Sequence, residues 1–132
     1  AKALNELGAF GAGYGQQIRL EVHGGCSRLP IIKQIMDKAT HPNVGVCWNC
    51  NRPDLEGQGL EYNFNLVKDR LGDTLHCQEL TGKNYPYPQL MQLLVQCNYT
   101  GWVLLECSSP QADPVAALVE QKQAFERLLA RE

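Results

Sequence analysis

Ile18-Arg19-Leu20-Glu21-Val22-His23 alternates apolar and polar side chains along six residues, and three later stretches repeat the pattern: Val44-Gly45-Val46-Cys47-Trp48-Asn49, Thr74-Leu75-His76-Cys77-Gln78 and Val103-Leu104-Leu105-Glu106-Cys107. Alternation of this kind predicts strands, because successive side chains leave a strand on opposite faces. In the first stretch Arg19, Glu21 and His23 share a face. In the second Gly45, Cys47 and Asn49 do, leaving Val44, Val46 and Trp48 for covering helices. His76 falls beside Thr74 and Gln78, and Glu106 opposite Val103, Leu105 and Cys107. Each strand therefore carries one polar, metal-capable group near its end, and all four share one side of the sheet.

Glu21, Asn49, His76 and Glu106 are separated by 28, 27 and 30 residues. A barrel of eight strand-helix units in about 250 residues spends roughly 30 on each. Four units fit in this chain, so the spacing predicts half of a barrel, with four parallel strands alternating with helices.

The intervening segments supply the helices. Leu4, Leu7 and Phe10 have helical spacing before the turn-forming run Gly11-Ala12-Gly13-Tyr14-Gly15. That run precedes a strand, the reverse of the order in a dinucleotide-binding fingerprint. Pro30 suits the start of a second helix whose apolar face is Ile31, Ile32, Ile35, Met36 and Ala39. Leu60, Phe64, Val67 and Leu71 stripe a third. Leu90, Met91, Leu94 and Val95 stripe a fourth, opened by Tyr85-Pro86-Tyr87-Pro88. The last is capped by Asp113 before Pro114 and striped by Val115, Leu118, Val119, Phe125, Leu128 and Leu129. A helix followed by four strand-helix units argues for a parallel sheet, with the polar strand ends on one rim. The long polar stretch from Cys50 to Gly59 is the kind of loop that holds binding groups.

Composition narrows the function. The 132 residues, 44% hydrophobic, suffice for one core, so residues 1–132 are expected to form a single domain. A net charge of -2 with twelve scattered basic residues argues against a nucleic-acid partner. No apolar run is long enough to span a bilayer, and the opening Ala1-Lys2-Ala3-Leu4 has no signal-peptide core, so no membrane partner is expected. The lack of an initiator Met points to processing or to upstream sequence. Cys47, Cys77 and Cys107 fall on strands expected to be buried and Cys97 at a helix end, as in a reduced, cytoplasmic protein. A zinc site built from Cys47-x-x-Cys50 with His76-Cys77 is disfavoured by parity, which turns Cys77 away from His76.

With Glu21 and His23, the strand at Val44, His76, and Tyr99-Thr100-Gly101-Trp102 leading to Glu106, the chain resembles the C-terminal half of the sugar-phosphate isomerase/epimerase family, the xylose-isomerase-like barrels. The resemblance implies one divalent ion, Mn²⁺, Mg²⁺ or similar, held by Glu21, Asn49, His76 and Glu106. Asn49 stands where the family has an aspartate, and Arg52 where it often has a histidine. An amide oxygen still ligates a hard cation, with one negative charge fewer. The implied activity is isomerisation or epimerisation of a sugar or sugar phosphate, with Glu21 and Glu106 as the acid/base pair. Apart from the resemblance, His23 would line the pocket, and on charge alone Arg52 or Lys83 would meet a substrate phosphate.

Each residue also has a structural reading. Arg19 would neutralise a buried glutamate, and His76 or His23 would be an ordinary hydrogen-bonded histidine. A half-barrel has open edges at its first and last strands, which a second copy or a missing N-terminal half-barrel would cover. The alternative function is accordingly a truncated, non-catalytic relative that binds a ligand or itself.

Overall fold

The computed structural model describes residues 1–107 and 109–130. The elements follow in the order α1 (Lys2–Ala12), β1 (Ile18–Glu21), α2 (Leu29–Met36), β2 (Val44–Cys47), α3 (Leu60–Asn65), β3 (Thr74–Cys77), α4 (Tyr87–Gln96), β4 (Trp102–Leu105) and α5 (Pro114–Leu129), with 3-10 turns at Gly24–Cys26, Arg52–Leu55 and Lys68–Arg70. The alternating order is the one expected, and each strand is shorter than its sequence pattern.

The strands form two parallel pairs. β1 lies against β2 with Ile18 opposite Val44 and Glu21 opposite Cys47, and β3 lies against β4 with Thr74 opposite Trp102 and Cys77 opposite Leu105. Between the pairs the ladder shrinks to a bridge from Val46 to Leu71 and two backbone bonds of 2.8 Å, from Gly72 N–H to Val46 O and from His76 N–H to Trp48 O. The described residues thus form a mixed α/β domain with short parallel strand pairs and without a closed barrel among them, where the sequence pattern led to one continuous four-stranded half-barrel sheet. The physical reason lies in strands of four residues, where a shift of pairing toward Leu71 leaves only two bonds to join the pairs.

The core lies between the strands and α2, α3 and α4. It gathers Val22, Leu29, Ile32, Met36, Val46, Trp48, Phe64, Leu75 and Leu90, with Trp48 and Phe64 edge to face at 5.6 Å. Arg70 fastens this layer, donating to the carbonyls of Met36 and Ala39 at and beyond the end of α2 and of Val44 at the start of β2.

The helical stripes are only partly right. Ile31 and Val95 face solvent, while Leu93 is buried. On α1 the buried residues are Gly8 and Gly11, and Leu7 and Phe10 are exposed. A Cβ on Gly8 would stand 2.7 Å from Val44 Cγ2 and 3.0 Å from His41 Nδ1, so the helix approaches through its glycines. The cap of α5 is as expected, Asp113 Oδ1 accepting from the amides of Val115 and Ala116 at 3.0 Å. The helix beyond it leaves Val115, Leu118 and Val119 exposed and buries Gln121 and Ala124.

Candidate functional site

Parallel strands carry their C-terminal ends to one side, and there the four spaced residues meet. Glu21 is the last residue of β1 and His76 the third of β3. Asn49 lies two residues past β2 and Glu106 one past β4. His76 Nδ1 stands 3.4 Å from Glu21 Oε1 and 3.7 Å from Glu106 Oε2. One ligand atom from each of Glu21, His76 and Glu106 lies within 4.8 Å of the others.

Asn49 completes the group from inside. It is 1% exposed and donates from Nδ2 to Glu21 Oε1 at 2.8 Å. A carboxylate accepts only, so this bond fixes which end of the amide faces Glu21. It leaves Asn49 Oδ1 buried without a hydrogen-bond partner, and His76 Nδ1 is likewise buried without one.

Two readings of His76 compete. An imidazolium clamped between carboxylates would make charge-assisted bonds of about 2.7–2.9 Å, shorter than the separations found. Two ligands at right angles around an ion, each at the roughly 2.0–2.1 Å typical of Mg²⁺, stand about 3 Å apart. The separations of 3.4 and 3.7 Å exceed both figures and leave His76 Nδ1 without a hydrogen bond between the two carboxylates. Two carboxylates, an imidazole and an unpartnered amide oxygen are donors suited to a hard or borderline divalent cation. The residues present therefore fit such an ion.

Among the described residues no other His, Cys, Asp and Glu group converges in this way, so the structure assembles no Cys47-Cys50 zinc site. Cys77 is buried and turned to the apolar layer, and burial raises its thiol to about 11. Cys107, expected to be buried, is exposed because it lies past the end of β4. Arg19 donates to Gln17 Oε1 at 3.4 Å rather than to a glutamate.

The residues expected to contact substrate are dispersed. His23 is exposed just past β1, ahead of the turn at Gly24–Cys26. Arg52 lines a cavity of about 720 Å³ with Cys50, Glu56, Gln78 and Asn84. Lys83 lines a second of about 460 Å³ with Tyr87 and Arg127, and Tyr85 borders both. Arg52 and Lys83 thus flank different spaces.

Sequence reasoning passed over Asp54 and Tyr85. Asp54 is 0% exposed; its Oδ2 accepts from Tyr85 Oη at 2.8 Å and from Asn51 N–H at 2.7 Å. Tyr85 Oη in turn accepts from Trp48 Nε1 at 3.1 Å. Burial raises the Asp54 carboxyl to about 7 against these bonds, which pull it down. The available signal was Asn51-x-x-Asp54, the spacing at which a side chain reaches back to cap a turn.

No family model and no curated protein matches the chain. Among solved structures, the chain is similar to the apo crystal structure of 3-keto-D-glucoside 4-epimerase, YcjR, from E. coli, with a TM-score of 0.76 at 17% identity, covering 98% of this chain and 51% of that one. The likeness is one of fold, and the chain spans about half the length of that structure. The assignment to the xylose-isomerase-like family is corrected by these findings: no family model supports it, and the structural neighbour carries a different enzyme's name. No helix is long and apolar enough to cross a membrane among the described residues.

Proposed function

We propose that this chain carries the metal and acid/base groups of a sugar isomerase or epimerase that moves a proton at the carbon next to a carbonyl. The observation that carries the reading is the convergence of Glu21, His76 and Glu106 with His76 Nδ1 unpartnered between them, beside an Asn49 that is bonded to Glu21 and whose buried Oδ1 also lacks a hydrogen-bond partner. The fold shared with a sugar epimerase supports it. Glu21, Asn49, His76 and Glu106 would hold a divalent ion such as Mn²⁺ or Mg²⁺. When bound, the ion polarises the substrate carbonyl and so acidifies the neighbouring C–H.

The protein's own groups do the rest. One of Glu21 and Glu106, as carboxylate, takes the proton from carbon; the other, as carboxylic acid, returns one to the opposite face, which inverts the centre and exchanges the two protonation states. Asn49 fixes the Glu21 carboxylate by its 2.8 Å bond. Arg52 stands in the adjoining cavity, where its guanidinium would meet a hydroxyl or phosphate of the substrate. His23, exposed past β1, and Lys83, in the second cavity, are the remaining candidates for substrate contact. The test is exchange in D₂O: Mn²⁺-loaded protein with aldoses, ketoses, sugar phosphates and 3-ketoglucosides, followed by NMR. Exchange that is lost in Glu21→Gln and in Glu106→Gln supports the reading, and no exchange with any of them overturns it.

A second observation supports a binding or self-associating role. On the face that bears the site, Trp102 is 72% and Leu104 41% exposed. The outer edges of β1 and β4 have no strand partner among the described residues. The two pairs form, in this reading, one open parallel half-barrel over residues 1–132, supported by the backbone bonds linking β2 to β3. A second copy or an N-terminal half-barrel would cover its edges. Sedimentation over a hundredfold concentration range tests the second copy; a constant monomer mass rules it out.

A further inference from the structure

Asn49 is bracketed by bonds that converge on a single carboxylate. The residue before it, Trp48, donates from Nε1 to Tyr85 Oη at 3.1 Å, and that hydroxyl donates to Asp54 Oδ2 at 2.8 Å. Two residues after it, Asn51 donates its backbone N–H to the same Oδ2 at 2.7 Å. Between the two lies Cys50, with φ of +39°, a left-handed conformation that a side chain bearing Cβ adopts only when its surroundings impose it. Asn51 Nδ2 also donates to Val22 O just past β1, and Asn63 Nδ2 holds Asp54 O at 2.9 Å. The carboxylate of Asp54 thus ties the ends of β1 and β2 to the segment leading into α4, around the turn that aims the Asn49 amide at Glu21.

We propose that Asp54 is a positioning residue of the rim site: through Tyr85 and Asn51 it holds the strained turn at Cys50 and thereby presents the Asn49 amide and Glu21 to a divalent cation. The inference rests on the metal-site reading above. Among the described residues the hydrogen bonds of Asp54 go to Tyr85, Asn51 and Asn63 and to none of the four ligand residues. Its effect runs through the direction of the amide, so its loss changes how a cation is held before it changes whether the chain folds.

The experiment is Mn²⁺ titration by calorimetry, with the electron paramagnetic resonance spectrum of the bound ion, on wild type, Tyr85→Phe, Asp54→Leu, Asp54→Asn and Gly8→Ala. Tyr85→Phe keeps the ring and removes the link, so its Mn²⁺ affinity should fall about tenfold with a changed spectrum, and Asp54→Leu should follow it. Asp54→Asn retains an acceptor oxygen and should stay within about threefold of wild type. Gly8→Ala strains the opposite end of the strands; it should lower the melting temperature and leave affinity and spectrum unchanged, separating positioning from general stability. Wild-type affinity and spectrum in folded Tyr85→Phe would overturn the inference while leaving the site reading intact. No Mn²⁺ binding by wild type would overturn both.

Discussion

Exchanging the amide of Asn49 for a carboxylate, Asn49→Asp, replaces a donor by a charge at the point where the site is most tightly built. In metal-free protein the 2.8 Å bond from Nδ2 to Glu21 Oε1 is lost, and a hydrogen bond to a charged group contributes about 1.5–3 kcal/mol. Two charged oxygens left at that separation would repel by about 6 kcal/mol at an effective dielectric of about 20. Keeping a proton on one carboxyl three pH units above its ordinary pKa costs about 4 kcal/mol, so the pair retains a proton near pH 7 instead of bearing both charges. We expect the variant to be less stable than wild type by about 2–4 kcal/mol at pH 8 in chelator. The deficit should fade toward pH 4, where the protonated carboxyl again donates to Glu21. With Mn²⁺ present the sign reverses: the cation displaces the proton, and the added carboxylate charge should tighten binding at least about tenfold, roughly 1.4 kcal/mol. Urea denaturation in EDTA and calorimetric titration with Mn²⁺ read the two effects. A variant as stable as wild type in EDTA at pH 8, with unchanged Mn²⁺ affinity, would refute the part given to Asn49 in the rim site.

Three further outcomes follow from other parts of the fold. Burial raises the Asp54 carboxyl from 3.8 to about 7, so the folded chain holds a proton that the unfolded chain releases. The stability this confers is complete below the unfolded value and is lost as pH rises through about 7. Wild type minus Asp54→Asn stability should therefore fall by up to about 4 kcal/mol between pH 4 and 8; a difference independent of pH would contradict it. Gly8→Ala puts a methyl 2.7 Å from Val44 Cγ2 and should cost about 2 kcal/mol by chemical denaturation. Asp113→Ala removes the two amide bonds at the start of α5 and should cost about 1 kcal/mol, with no effect on Mn²⁺ binding.

The strands were legible because alternation carries through to burial: Leu75 and Cys77 are buried while Thr74 and His76 on the other face are partly exposed. Parity alone brought Glu21, Asn49, His76 and Glu106 to one rim. The Asp113 cap was legible because its partners are two and three residues away. What escaped depends on tertiary approach. Helical periodicity pointed to Leu7 and Phe10 on α1, yet the helix lies close to Val44 and His41 through Gly8 and to Gln16 and Ile18 through Gly11, where no stripe is visible. The division of the sheet into two pairs turns on a bridge at Leu71, outside any strand pattern. Asp54 lay in a stretch read only as polar loop, since its partners Tyr85 and Trp48 are distant in sequence. The family assignment rested on order and spacing, which many parallel α/β chains share.

Calorimetric titration of metal-stripped protein with Mn²⁺, beside Glu106→Gln, asks whether the rim residues form one cation site. Saturable binding of one ion per chain is expected, weakened at least about tenfold when the carboxylate is neutralised. Absence of binding in wild type, or equal binding in the variant, would contradict it.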